Sequence, residues 1–223
     1  MSAANADFLK GFFQKQKDEK LERYSHLNHN VKKGQILFVG SSLMEQFPIN
    51  EIAMTHGLIN IIYNRGIGGY TIPEMIDSMD TQIFDLEPSK IFINIGTNDI
   101  SIPDETKDKL VDDYKTVLTE IKHRLPETKV YLMAYYPVNM KVAEKQPWPD
   151  AKRAVQLRKE RLEEANKAIA DLAMEFGYKY IDVNNGLTDE NGETKEEYSI
   201  DGIHMWSDAY EVVFANMKDY ILE

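Results

Sequence analysis

The 223-residue chain contains no cysteine. That absence excludes a disulfide framework, a thiolate zinc site and a cysteine nucleophile together. Long apolar runs are also missing: nothing approaches the ~20 residues that a membrane-spanning helix needs. The opening stretch MSAANADFLKGFFQKQKDEKLERY lacks the basic and then apolar order of a secretory signal. A cytoplasmic location is therefore expected, without membrane insertion. Positive charge is in short supply. Lys and Arg number 26 against 37 Asp and Glu, a net charge of −11, which repels nucleic-acid phosphates and anionic lipid surfaces overall. No nucleic-acid partner is expected. No repeat, low-complexity tract or Pro/Gly/Ser-rich linker divides the sequence, so residues 1–223 read as one domain.

What is present is an ordinary globular composition, 43% hydrophobic and 28% charged. A chain of this length should bury roughly 70% of its unfolded surface and needs no cross-links to do so. Its charge is uneven. Residues 182–223 carry eleven acids and two bases, while residues 141–161 carry seven bases and three acids. The simpler reading of both stretches is solvated surface.

Short apolar runs alternate with longer segments of helical period, the pattern of an α/β protein with a mostly parallel sheet. The expected strands are Gln35–Val39, Ile59–Tyr63, Lys90–Ile95, Lys129–Ala134 and Lys179–Val183, most of them rich in Ile, Val, Phe and Tyr. Asp104–Arg124 is an expected helix whose Leu110, Tyr114, Val117, Leu118 and Ile121 form one apolar stripe. Val155–Phe176 is another, ended by Gly177. Ser207 is positioned to cap a last helix to about Ile221, and the first helix runs to about Tyr24 within a lead-in of residues 1–33. The stretch 137–150, with three prolines, reads as an irregular insertion and a candidate lid.

Three strands run into small, polar or glycine-rich turns: Gly40-Ser41-Ser42, Asn64-Arg65-Gly66-Ile67-Gly68-Gly69 and Gly96-Thr97-Asn98-Asp99. Ligands of open parallel sheets bind outside the carboxyl ends of the strands, so these turns should share one crevice. Asp201-Gly202-Ile203-His204 could close it from the side. Together they offer the parts of an acyl-transfer site. Ser42, and not Ser41, is the expected nucleophile. His204 can take its proton, and Asp201, three residues earlier, can fix the imidazole tautomer. Gly69 can present a bare backbone N–H and Asn98 a side-chain amide to the same oxyanion. Each segment alone is weak; Gly66–Gly69, for instance, has neither dinucleotide-loop spacing nor a P-loop lysine. His26 and His29 have a spacing that could bind metal, but no carboxylate lies between them, and a loop position before the first strand is the simpler reading. His56 and His123 read as surface residues.

In these blocks the sequence resembles the SGNH hydrolases, which include the GDSL esterases and lipases. ILFVGSSL carries Ser42, NRGIGGYT carries Gly69, INIGTND carries Asn98, and DGIHMWSDAY carries Asp201 and His204. The blocks lie in family order and look most like the branch that includes platelet-activating-factor acetylhydrolase catalytic subunits. The resemblance implies a flavodoxin-like three-layer α/β/α sandwich with a five-stranded parallel sheet in the order 2-1-3-4-5. It implies no metal and no cofactor. Two positions depart from the pattern: Ser41 stands for the first-block Asp, and Tyr70 for the Asp that often follows the second-block Gly. Both changes alter charge and shape beside the nucleophile.

The activity expected is hydrolysis of a carboxylic ester with a short, acetyl-type acyl group. Alternatives are a carbohydrate O-deacetylase or a lysophospholipid esterase on the same machinery, and a non-catalytic binding module. Partners would be a small-molecule ester and, as one option, a second copy of the chain in a homodimer. Tyr70, Tyr135, Tyr136, Trp148 and Trp206 are candidates for pocket walls, with core or rim positions equally open to them.

Overall fold

A computed structural model describes residues 3–147 and 149–223. The five strands are β1 Ile36–Gly40, β2 Ile62–Asn64, β3 Lys90–Asn94, β4 Lys129–Met133 and β5 Lys179–Ile181. All neighbours pair in parallel, in the order β2-β1-β3-β4-β5. This is the expected doubly wound sheet. Side chains alternate between two cores, as the two-residue period of a strand requires. Leu37, Val39, Ile91, Ile93 and Leu132 point into one core, and Phe38, Phe92, Tyr131 and Met133 into the other. Because both faces are covered, the strands read as near-continuous apolar runs.

Among the described residues eight α-helices complete the layers: α1 Ala3–Asn28, α2 Ser42–Glu45, α3 Ile49–Thr55, α4 Ile72–Gln82, α5 Lys107–Arg124, α6 Met140–Ala143, α7 Pro149–Phe176 and α8 Ser207–Leu222. Tyr24 of α1, Met75 of α4, the Leu110–Ile121 stripe of α5 and Ile169 of α7 pack with the first core. Ile52 of α3 and Tyr210, Phe214 and Met217 of α8 pack with the second. Among the described residues no helix is long and apolar enough to cross a membrane.

Several boundaries differ from the expected ones, each for a local reason. Strand β2 begins at Ile62, since Ile59 is 97% exposed despite its β-branched neighbours. Helix α5 begins at Lys107, because the Thr106 side chain accepts the Lys109 N–H and ends the preceding loop. Helix α7 begins at Pro149 and not Val155; proline suits a first turn, where its missing N–H has no partner to lose. Ser207 is the first residue of α8 and makes no cap, the capping position being Trp206. Helix α1 runs past Tyr24 to Asn28, so His26 is helical. The expected irregular insertion holds α6, capped by the Asn139 side chain, which accepts the Val142 N–H. Val138, Asn139, Val142 and Ala143 there are buried; Trp148 lies outside the described residues.

The two charge patches meet. Lys141 and Lys145 of the basic stretch pair with Glu196, and Lys159 pairs with Glu193, both in the acidic stretch. These contacts tie the α6 segment and α7 to the loop that leads into α8.

One backbone approach fixes how the turns after β1 and β2 meet. A Cβ on Gly66 would lie 2.3 Å from the Glu45 backbone nitrogen, with no flexible atom able to move aside. Tyr24 secures the same point by donating its hydroxyl to the Gly66 carbonyl at 2.7 Å. Gly66→Ala should therefore lower the unfolding free energy by about 1–3 kcal/mol through overpacking. Urea unfolding measures this, and an unchanged midpoint would contradict the close approach.

Candidate active site

The carboxyl ends of β1, β2 and β3 deliver their turns to one edge of the sheet, as their common direction requires. β1 ends at Gly40 and α2 starts at Ser42, which places the serine hydroxyl at the sheet edge. The turn after β2 brings Gly68 and Gly69 alongside, and the turn after β3 brings Asn98. With His204 they line one open crevice of about 730 Å³.

His204 Nε2 lies 2.9 Å from Ser42 Oγ, and Nδ1 lies 2.6 Å from Asp201 Oδ2. A carboxylate only accepts, so Nδ1 carries the proton and Nε2 presents its lone pair to the serine hydroxyl. The other Asp201 oxygen accepts the backbone N–H groups of Ile203 and His204. Burial works against ionising Asp201, but His204 and these N–H groups outweigh it and hold the carboxyl down at about 2. It is therefore ionised throughout the neutral range. The loop needs glycine at 202, where φ is +98° and a Cβ would sit 2.7 Å from the Asn139 carbonyl oxygen. In return the Gly202 carbonyl accepts the Asn139 N–H at 2.9 Å, so the segment around α6 buttresses the histidine loop.

The donors around Ser42 are sorted by what already occupies them. Gly68 N–H is engaged by Glu45 Oε2 at 2.5 Å. The backbone N–H groups of Ser42 and Gly69 make no hydrogen bond among the described residues. Asn98 Nδ2 gives one hydrogen to the Tyr70 carbonyl at 2.8 Å and has a second one to offer. The sites expected from the sequence, Ser42, Gly69, Asn98, Asp201 and His204, are thus brought together.

The two departures from the family pattern do not enter the crevice as charge. Ser41 is fully buried with its hydroxyl unpaired. Tyr70 is buried, and Lys17 lies 5.7 Å from its ring centre. Tyr135 and Tyr136 belong to the core, and Trp206, 53% exposed, lies off the crevice. The wall comes instead from α1, which supplies Phe13, Lys17, Lys20 and Arg23. Lys17 pairs with Glu74 and Lys20 with Glu45, which fastens α1 over the site. The other histidines stand elsewhere. The rings of His26 and His29 meet edge to face, and His56 Nε2 lies 2.8 Å from a Glu211 oxygen. No group of three potential metal ligands converges among the described residues.

Two residues of the site had no signal in the sequence. Arg158 of α7 reads as one more cation in a basic stretch, yet it is buried behind Asn98 and donates to its Oδ1 at 2.8 Å. Asp99 reads as a turn residue, yet its buried carboxylate accepts the Ile72 N–H at 3.0 Å and so caps α4.

Comparison with known proteins agrees with this geometry. The sequence profile described as the GDSL-like Lipase/Acylhydrolase family matches residues 50–212. The chain belongs to this family. The matched span begins after Ser42, so the placing of that serine rests on the arrangement just described. A solved structure from Streptococcus pneumonia, provisionally described as a platelet activating factor, is 29% identical. It covers 99% of this chain and all of its own, with a TM-score of 0.86. A GDSL-like lipase from Bacteroides thetaiotaomicron is 21% identical over 91% of this chain and 97% of its own, with a TM-score of 0.72; at that identity it speaks to the fold alone. Among curated proteins, the N-acylneuraminate cytidylyltransferase of Escherichia coli O18:K1:H7 is 23% identical over 215 residues, 90% of this chain. The chain spans 45% of that protein's length.

The environment of Asp99 in this GDSL-family site has a consequence for stability. Burial raises its carboxyl to about 6, against the pull of the Ile72 N–H. A carboxyl raised in the folded state stabilises fully below its unfolded value near 4, and that stabilisation is lost as pH rises through 6. Asp99→Asn keeps an acceptor for Ile72 and removes the titration. Its unfolding free energy relative to the unsubstituted protein should therefore improve by about 2–3 kcal/mol between pH 4 and pH 7. Denaturant titrations across that range measure it, and parallel profiles for the two proteins would contradict the assignment.

Proposed function

We propose that the protein is a serine esterase that cleaves carboxylic esters with short acyl groups, using Ser42, His204 and Asp201 as the triad. The observation that carries this reading is the unbroken chain from Ser42 Oγ to His204 Nε2 at 2.9 Å and from Nδ1 to Asp201 at 2.6 Å. Ser42 Oγ attacks the ester carbonyl while Nε2 takes the hydroxyl proton. The carbonyl oxygen becomes an oxyanion facing the N–H groups of Ser42 and Gly69 and the free Nδ2 hydrogen of Asn98. The imidazolium, stabilised by ionised Asp201, returns the proton to the leaving alcohol oxygen as the C–O bond breaks. Water, deprotonated by the same imidazole, then hydrolyses the acyl-enzyme and restores the serine.

The preference for a short acyl group follows from the crevice walls. Phe13 and Ile67 are apolar, but Gln16, Lys17, Glu19, Lys20, Arg23, Glu45 and Gln46 dominate the lining. A long acyl chain laid along these walls would strip water from their charged groups. The same polarity favours a second reading, O-deacetylation of a carbohydrate, whose hydroxyls suit such walls. The curated relative from Escherichia coli is also named for an acylated sugar acid, though this chain corresponds to less than half of it. A binding module would not require three unoccupied donors converging beside an activated serine.

A fluorophosphonate probe should label Ser42. Peptide mapping of an adduct on Ser41, or labelling that survives Ser42→Ala, would overturn the nucleophile. Asn98→Ala should lower kcat by about 10²–10³ on an aryl acetate, with KM little changed, because the oxyanion exists only along the reaction path. If the amide merely held the turn through the Tyr70 carbonyl, its loss would cost about 1 kcal/mol of stability and leave turnover nearly intact. Steady-state kinetics and thermal unfolding of the one variant separate these outcomes.

A further inference from the structure

We propose that Arg158 is a positioning residue for the oxyanion hole, holding Asn98 with its amide nitrogen toward the crevice and strengthening it as a donor. The inference rests on the reading of Asn98 as an oxyanion donor given above. Arg158 comes from the third turn of the long helix α7 and is only 6% exposed. Its NH2 group donates to Asn98 Oδ1 at 2.8 Å, and its Nε donates to Ser101 Oγ at 2.6 Å. Ser101 passes its own hydrogen to the Thr97 carbonyl at 2.9 Å. The guanidinium is thus fixed on both sides of the turn that bears Asn98.

These partners are neutral oxygens, and a buried cation held by neutral groups is costly unless something offsets it. The environment shows the strain and the compensation together. Burial draws Arg158 down to about 10, while the carboxylates of Asp201 and Asp99 support its charge. It therefore remains a cation at neutral pH, set between the two carboxylates of the site and directly behind the amide of Asn98.

That placement acts on the amide in two ways. An asparagine amide is nearly symmetric in shape, and only its partners decide which end faces where. Guanidinium has donors and no acceptor, so it admits only Oδ1 and turns Nδ2 to the opposite side. Tyr70 takes one Nδ2 hydrogen there through its carbonyl, and the other points to the substrate. A charge-assisted bond to Oδ1 also withdraws electron density from the amide and makes that remaining N–H a better donor. As the oxyanion forms, the line oxyanion–amide–guanidinium becomes anion, dipole and cation in series. The benefit appears in the transition state, so it should be read in kcat and not in KM.

Helix α7 provides its own control. Arg161 clamps the same turn through the carbonyl groups of Ile100, Ile102 and Pro103, but it does not touch Asn98. Kinetics on an aryl acetate, with thermal unfolding alongside, would compare the unsubstituted enzyme with Arg158→Met, Arg158→Lys, Arg161→Met, Asn98→Ala and the Arg158→Met/Asn98→Ala double variant. Arg158→Met should lower kcat about 10- to 100-fold, less than loss of the donor itself, with KM nearly constant. Arg158→Lys, which keeps the charge without the fork, should fall between. Arg161→Met should retain kcat. In the Asn98→Ala background, adding Arg158→Met should change kcat less than about threefold, since the group it acts through is gone. Losses that multiply in the double variant, or an Arg161→Met loss as large as that of Arg158→Met, would overturn the proposal. Should Arg158→Met fail to fold, Arg158→Lys and its own double variant with Asn98→Ala decide by the same criterion. Failure of the underlying reading looks different: Asn98→Ala would then keep full kcat whatever Arg158 does.

Discussion

Every strand of a parallel sheet releases its carboxyl end on the same edge, and the rest of this molecule is arranged around that constraint. Three consecutive turns are obliged to share a few ångströms of space, and each meets it with small or polar residues. Gly66 lets the second turn lie against the backbone of α2, and Glu45 then occupies the Gly68 N–H at 2.5 Å. With Gly68 engaged, the free donors of that turn reduce to Gly69. The third turn is tied to the second through Asn98 and the Tyr70 carbonyl, and to α4 through Asp99 and the Ile72 N–H. The convergence of Ser42, Gly69 and Asn98 is a consequence of sheet topology, made exact by a few backbone hydrogen bonds.

Charge is then placed on this frame by environment more than by residue type. Asp201 and Asp99 are both substantially buried carboxyls, yet one is pulled down to about 2 and the other pushed up to about 6. The difference is the number of donors each receives. Asp201 accepts the imidazole and two backbone N–H groups, whereas Asp99 has no side-chain donor and only the backbone N–H groups of Ile72 and of itself to oppose its desolvation. Arg158 lies within the field of both. In a chain of net charge −11, these two carboxyls thus share one buried guanidinium as a counter-charge.

Much of this was legible in the sequence, and the reasons differ for what was not. The sheet and its order followed from five apolar runs and the family blocks, and the α5 stripe from a clean helical period. The boundary of β2 was not legible because Ile59, Ile61 and Ile62 have the same propensity; burial alone separates the exposed Ile59 from Ile62. The stretch around α6 resembled a loop because three prolines outweigh a four-residue helix, whose stability comes from the Asn139 cap and tertiary packing. Arg158 was invisible for a stronger reason. It lies in a segment with six other bases, and nothing in composition distinguishes the one that points inward. Asn98, by contrast, was legible because its turn stands at a strand end beside the others and its block recurs in a known family; alone, Gly-Thr-Asn-Asp is a turn.

The division of labour between rigid and adjustable parts follows from how each is held. Ser42 and Asn98 follow strands β1 and β3, whose side chains are entirely buried, so their positions are set by packing. The facing wall is held differently. The carboxyl end of its helix α1 is anchored by Tyr24 and by buried Asn28, which accepts from Arg65, whereas the part beside the crevice is fastened by Lys17–Glu74 and Lys20–Glu45, pairs that are partly exposed to solvent. Such pairs contribute about 0–1 kcal/mol each. Toward its amino end the same helix leaves Phe8, Phe12 and Phe13 largely in solvent, and Phe13 reaches the crevice. Chemistry is therefore anchored to the most stable part of the molecule and substrate contact to one of the least. Substitutions in α1 can change what the crevice accepts without disturbing Ser42, His204 or Asp201, whereas the sheet edge tolerates almost none.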